Sequence, residues 1–136
     1  GFFFTLTIVL AKELTEKAVK DALLKRRTIV YSGGELMGEE KWLNDFLNAA
    51  VDCKILKTDE KSGVRTFVFT NMSSFTYRLR RGKLIYKLDP FKSLIFNLGK
   101  DKKSGEYIPP KFRIDNMWHI DYKHPVIEIA IDNKFK

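Results

Sequence analysis

Two rhythms of apolar and polar positions divide the chain near residue 51. Before it, apolar residues form one continuous run and then recur at helical spacing; after it they alternate with polar ones. The run from Phe2 to Leu10 mixes Phe, Thr, Ile, Val and Leu, which predicts a strand covered on both faces. A helix follows, with Thr15 as N-cap, Glu16 in the first turn, and Leu14 and Val19 placed for a hydrophobic staple. Val19, Ala22, Leu23 and Arg26 share one face of it, and Lys25, Arg26 and Arg27 sit at its carboxyl end. Thr28 to Tyr31 reads as a short strand broken by Ser32-Gly33-Gly34. A second helix is predicted from near Gly38 or Glu39. Trp42, Leu43, Phe46, Leu47 and Ala50 form its apolar stripe, while Lys41, Asp45 and Asn48 face away.

From Asp52 onward the period is two. Cys53 to Lys57 and Val64 to Thr70 flank the polar loop TDEKSG, a hairpin signal, with Phe67 and Phe69 opposed to Thr66, Val68 and Thr70. Phe75, Tyr77 and Leu79 alternate with Thr76, Arg78 and Arg80, and Gly82-Lys83 connects tightly to Leu84–Leu88. Asp89-Pro90 turns into Lys92–Leu98. GKDKKSG reads as a solvated loop and the stretch most prone to disorder. Lys111–Ile120 and Val126–Ile131 close the chain around the turn DYKHP. The fold class is α+β, with a strand-helix-strand-helix segment over 1–51 packed on or leading into an antiparallel, immunoglobulin-like β-sandwich over 52–136.

Composition narrows the chemistry only slightly. At 136 residues there is room for one domain, or a small domain and a fragment of another. The net charge of +8 raises the question of anionic partners. One cysteine, Cys53, excludes an intrachain disulfide and a cysteine-based zinc site, and reads as a buried structural thiol. No apolar run reaches the roughly 18 residues of a membrane helix. The start is Gly1 rather than Met, with no basic segment before the apolar run. It is therefore expected to be internal to a longer protein, with Gly1 a remnant of cloning.

The basic segment Tyr77-Arg78-Leu79-Arg80-Arg81-Gly82-Lys83 is the strongest binding signal. Alternation puts Arg78 and Arg80 on one face with Arg81 and Lys83 around the turn, and Tyr77 or Tyr86 could stack on a base. The competing reading is a solvated face whose charges discourage edge pairing, and no nucleic-acid motif accompanies it. His119 and His124, near Asp115 and Asp121, are weak metal candidates because all four lie in one hairpin. Glu35, Glu39 and Glu40 after Gly33-Gly34 suit a helix start better than a phosphate loop. Asn71-Met72-Ser73 matches the glycosylation pattern, a weak signal in so short a motif, and a strand–strand turn explains the Asn and the two Ser without it.

Taken together, Thr5–Val9, AKELT, Arg27–Tyr31, LMGEE, FVFTNMSSFTYRLR and FRIDNMWHIDYKHPVIEIAI resemble the end of a bacterial PHP-type (polymerase and histidinol phosphatase) phosphoesterase and its C-terminal β module. The resemblance implies that residues 1–51 are the last elements of a distorted β/α barrel. It also implies that the divalent metals of the full-length enzymes bind earlier, through an H-x-H and further residues absent here. A non-catalytic accessory module with no cofactor of its own is therefore expected. The expected partners are a catalytic phosphoesterase domain or a second copy meeting the N-terminal segment, with the compartment left open between cytoplasm and export. Polyanion or phosphate-ligand binding through Arg78–Lys83 is the alternative.

Overall fold

The computed structural model describes residues 5–11 and 13–131, so Phe2–Phe4 lie outside the described part. The chain runs through β1 (Thr5–Val9), α1 (Glu16–Leu24), β2 (Thr28–Ser32), β3 (Glu35–Gly38), α2 (Glu40–Ala50), β4 (Val51–Asp59), β5 (Val64–Asn71) and β6 (Tyr77–Arg81). It continues through β7 (Leu84–Leu88), β8 (Ser93–Leu98), β9 (Lys111–Ile114), β10 (Met117–His119) and β11 (Val126–Glu128). Among the described residues these form three sheets: β1-β2-β3-β10, β11-β9-β6-β7 and β4-β5-β8. The fold is α+β and rich in strand.

Period-two alternation builds the β4-β5-β8 and β11-β9-β6-β7 layers. Phe67 and Phe69 on β5 are buried, as are Tyr77 and Leu79 on β6, Phe96 and Leu98 on β8, and Phe112 and Ile114 on β9. These residues meet between β4-β5-β8 and β11-β9-β6-β7. The Phe112 ring lies edge-on to Phe69 at 5.6 Å and to Phe96 at 5.2 Å between centroids. Pairs of this kind add about 0.5–1.5 kcal/mol each beyond simple burial. The helical stripe joins the same core: Leu43 and Leu47 of α2 are fully buried, and Trp42, Phe46 and Ala50 pack against it. The α2 stripe thus packs on the chain's own core.

The segment before α2 departs from expectation in three places. First, among the described residues β1 pairs only with β2 and forms the edge of its sheet, and with Leu6 47% exposed it is not covered on both faces. An apolar run states hydrophobicity but not how many neighbours the strand finds. Second, Thr15 caps α1 as expected, accepting from the Ala18 N–H at 3.2 Å, but Leu14 is 98% exposed and makes no staple. Third, residues 35–38 form a strand rather than the approach to a helix. Gly33 and Gly34, at φ 58° and 84°, close a hairpin between β2 and β3 in a conformation that suits glycine. Gly38 ends it in close quarters, where an added Cβ would lie 3.1 Å from the Thr28 carbonyl oxygen.

The strand expected over Lys111–Ile120 is broken at Asp115-Asn116 and changes sheets. Its first half, β9, pairs antiparallel with β6 and β11; its second, β10, pairs parallel with β3, Met117 opposite Leu36 and His119 opposite Gly38. The loop after β8 is also more structured than its composition suggests. Lys100 bridges Tyr107, and the Asp101 side chain accepts the Lys103 N–H at 2.7 Å.

Candidate functional site

Alternation along β6 separates the four cations of the basic segment. Arg78 is exposed on the outer face of the β11-β9-β6-β7 sheet, opposite Lys87. Arg80 shares that face but is tied down: its Nε donates to Asp115 Oδ2 at 2.7 Å, while Arg113 Nε donates to Asp115 Oδ1 at 2.9 Å. Burial pushes the Asp115 carboxyl up, but the hydrogen bonds from Arg113 and Arg80 outweigh it and hold it below the ordinary carboxylate range. Arg81 lies on the opposite face, 5.9 Å from the centre of the Phe96 ring, and Lys83 is exposed in the turn. The stacking role considered for Tyr77 is ruled out, because its ring is fully buried with its hydroxyl 2.9 Å from Ser73 Oγ. Tyr86 is half-buried and lies edge-on against Phe96. What remains on this face is Arg78 opposite Lys87, whose Nζ lies 3.7 Å from Asp89 Oδ1, with no aromatic platform.

The two histidines have separate engagements. His119 Nδ1 lies 2.7 Å from Asp121 Oδ1, and this contact is the main reason the Asp121 carboxyl sits below its usual range. His124 donates from Nδ1 to the Met117 carbonyl at 2.9 Å and rests on the Trp118 ring at 3.9 Å. Both line a depression of about 300 Å³ shared with Glu40, Asp121 and Lys123. Asp115 is not among them, being held by Arg80 and Arg113 instead. Among the described residues no three His, Cys, Asp or Glu side chains come together in a way that could hold a metal ion.

Two buried asparagines join distant segments, and sequence patterning did not single them out as hubs. Asn71 donates from Nδ2 to the carbonyls of Phe75 at 2.6 Å, Leu88 at 3.2 Å and Asp89 at 3.2 Å. Its Oδ1 accepts from the Ser73 N–H at 2.9 Å and from Ser73 Oγ at 2.7 Å. Fully buried and so employed, Asn71 is closed to glycosylation in the folded protein. Asn116 donates to the carbonyls of Gly34 and Thr76 and accepts the Arg78 N–H at 2.9 Å, joining the β2–β3 turn to β6. Trp118 Nε1 reinforces that junction by donating to Glu35 Oε2 at 3.2 Å. Asn48, expected to face away, instead pins the chain end: Nδ2 donates to the Glu128 carbonyl and Oδ1 accepts the Ala130 N–H at 2.7 Å. Cys53 is fully buried, and desolvation pushes its thiol up to about 12, which removes it as a nucleophile at neutral pH.

No protein-family model matches the chain, and no curated protein matches it in sequence. Among solved structures it is similar to a two-domain protein of Bacteroides vulgatus containing a predicted PHP-like metal-dependent phosphoesterase. The TM-score is 0.75 and the identity 22% over 93% of this chain. The chain spans 38% of the length of that protein. The fold of this chain is therefore the fold of a part of that two-domain PHP-like protein.

Proposed function

We propose that the chain is the accessory, non-catalytic β module of a PHP-type phosphoesterase, with residues 1–51 supplying the last elements of the barrel. The likeness in fold to 38% of a two-domain PHP-like protein carries this reading. An immunoglobulin-like sandwich over 52–136 belongs to the same proposal. It is supported by the sheet orders β4-β5-β8 and β11-β9-β6-β7, which correspond to strands A, B, E facing G, F, C, C′. The chain on its own, supplied with zinc or manganese, is expected to leave bis(p-nitrophenyl) phosphate intact. Metal-dependent turnover that co-elutes with the chain would reject the accessory role.

One observation favours a second reading, in which the outer sheet face binds a polyanion. Strand register sets Arg78 opposite Lys87 and Arg80 opposite Arg113. Like charges in register destabilise a sheet; Asp115 already relieves the Arg80–Arg113 pair, and an anion laid across Arg78 and Lys87 would relieve the other. Replacing Arg78 and Lys87 together by glutamate is expected to lower retention on heparin. The slope of log affinity against log salt should fall by about one per lost contact. Unchanged retention would remove this face as a binding site.

A further inference from the structure

We infer that the end of the sandwich holds a binding site for a small carboxylate, built around Arg65. Alternation along β5 places residue 65 on the same side as Phe67, Phe69 and Asn71, all buried, so an arginine occupies the first core-facing position of the strand. Its register partner on β8 is the buried Leu98. The guanidinium lies 3.8 Å from the centre of the Tyr107 ring, and Lys100 Nζ lies 4.8 Å from the same centre. Arg65 Nε is buried and has no hydrogen-bond partner among the described residues.

A buried N–H of a charged group left without an acceptor is costly, and native proteins rarely leave one so. Here the guanidinium lines a cavity of about 160 Å³ walled by Phe67, Ile108, Pro109, Pro110, Ile129 and Ile131. That is below the roughly 300–1,000 Å³ of pockets for drug-sized ligands, and it suits a group of a few heavy atoms. A guanidinium offers paired N–H groups to the two oxygens of a carboxylate, while the apolar walls suit a short hydrocarbon stem. Glu128 also lines the cavity. Its negative charge disfavours a phosphate dianion and leaves a monoanion as the ligand that the charges fit. The site thus stands apart from any phosphoester chemistry and from the Arg78 face. Its carboxylate comes from a free short-chain acid or from the side chain of a partner protein.

The test follows the Arg65 Nε–H resonance of the intact chain by NMR during titration with propionate, with sodium chloride at matched ionic strength as control. Inorganic phosphate, propionamide and doubly capped glutamate are titrated in parallel. Saturable binding of propionate in the millimolar range is expected for so small a ligand, with a shifted Nε–H signal. Propionamide and phosphate should bind at least about tenfold more weakly. Tighter binding of capped glutamate would assign the carboxylate to a partner's side chain; tighter binding of propionate would assign it to a free acid. The Arg65→Lys variant keeps the charge and loses the fork, and should weaken binding by about tenfold or more. Absence of any saturable shift up to about 100 mM propionate, far above that range, would overturn the site. Equal binding of phosphate would do the same. Both outcomes are read on the unmodified protein, so they hold even if the variant fails to fold.

Discussion

Replacing Asn71 by alanine is expected to lower stability by about 3–4 kcal/mol and the melting temperature by about 10 °C. The side chain bridges the β5–β6 turn to the end of β7, donating to Phe75, Leu88 and Asp89 and accepting from Ser73. Truncation leaves those carbonyls facing an apolar void, so the penalty exceeds the net worth of the bonds themselves. The adjacent Met72→Ala change supplies the control. Met72 is 57% exposed in the same turn, and its loss should stay within about 0.5 kcal/mol. Thermal and urea melts of both variants decide the matter. Equal effects would mean that the turn as a whole, and not the Asn71 hub, is what matters.

The second large effect is a loss of stability in alkali. Burial pushes the Cys53 thiol from 9.0 up to about 12. Tyr77 also rises to about 12, because burial outweighs the opposing hydrogen bond from Ser73. Both groups are neutral when protonated, so the folded state holds its proton more tightly than the unfolded chain. The contribution is complete below the unfolded pKa and is lost as pH rises towards the folded one. For Cys53 the window runs from about pH 9 to 12. At about 1.4 kcal/mol per pKa unit, the loss reaches roughly 4 kcal/mol at the upper end. Urea midpoints measured across this range should fall steeply. A Cys53→Ala variant is expected to be about 1–2 kcal/mol less stable at neutral pH and to have a shallower alkaline slope. An unchanged slope would place the titrating group elsewhere.

Local chemistry was legible wherever it acts over a few residues. Thr15 caps α1 because its hydroxyl need only reach the Ala18 N–H. Phe67 and Phe69 face the core because the strand period allows nothing else. The stripe from Trp42 to Ala50 likewise settled which face of α2 is buried. What failed to show were groups whose partners lie far along the chain. Asn71 resembled an ordinary turn residue until β7 came within reach of its amide. Tyr77 looked available for stacking only because its place between two sheets is not written in β6. Arg65 gave no signal at all, since an arginine at the start of an alternating strand usually faces water.

The charged candidates divide in the same way. Alternation correctly placed Arg78 and Arg80 on one face. That Arg80 is bound to Asp115, and shares it with Arg113, depends on the pairing of β6 with β9. The chain by itself therefore determined the helices, the strand faces and the α+β class, because these follow from propensity, capping and periodicity over a few neighbours. The tertiary structure decided that β1 is an edge strand and that β10 leaves its sheet to pair with β3. It also decided that Asn71 and Asn116 are buried connectors, that Asn48 ties α2 to Glu128 and Ala130, and that one arginine lines a cavity. Those outcomes depend on which distant segments meet, and the desolvation and pairing that fix a polar group's role exist only once they have met.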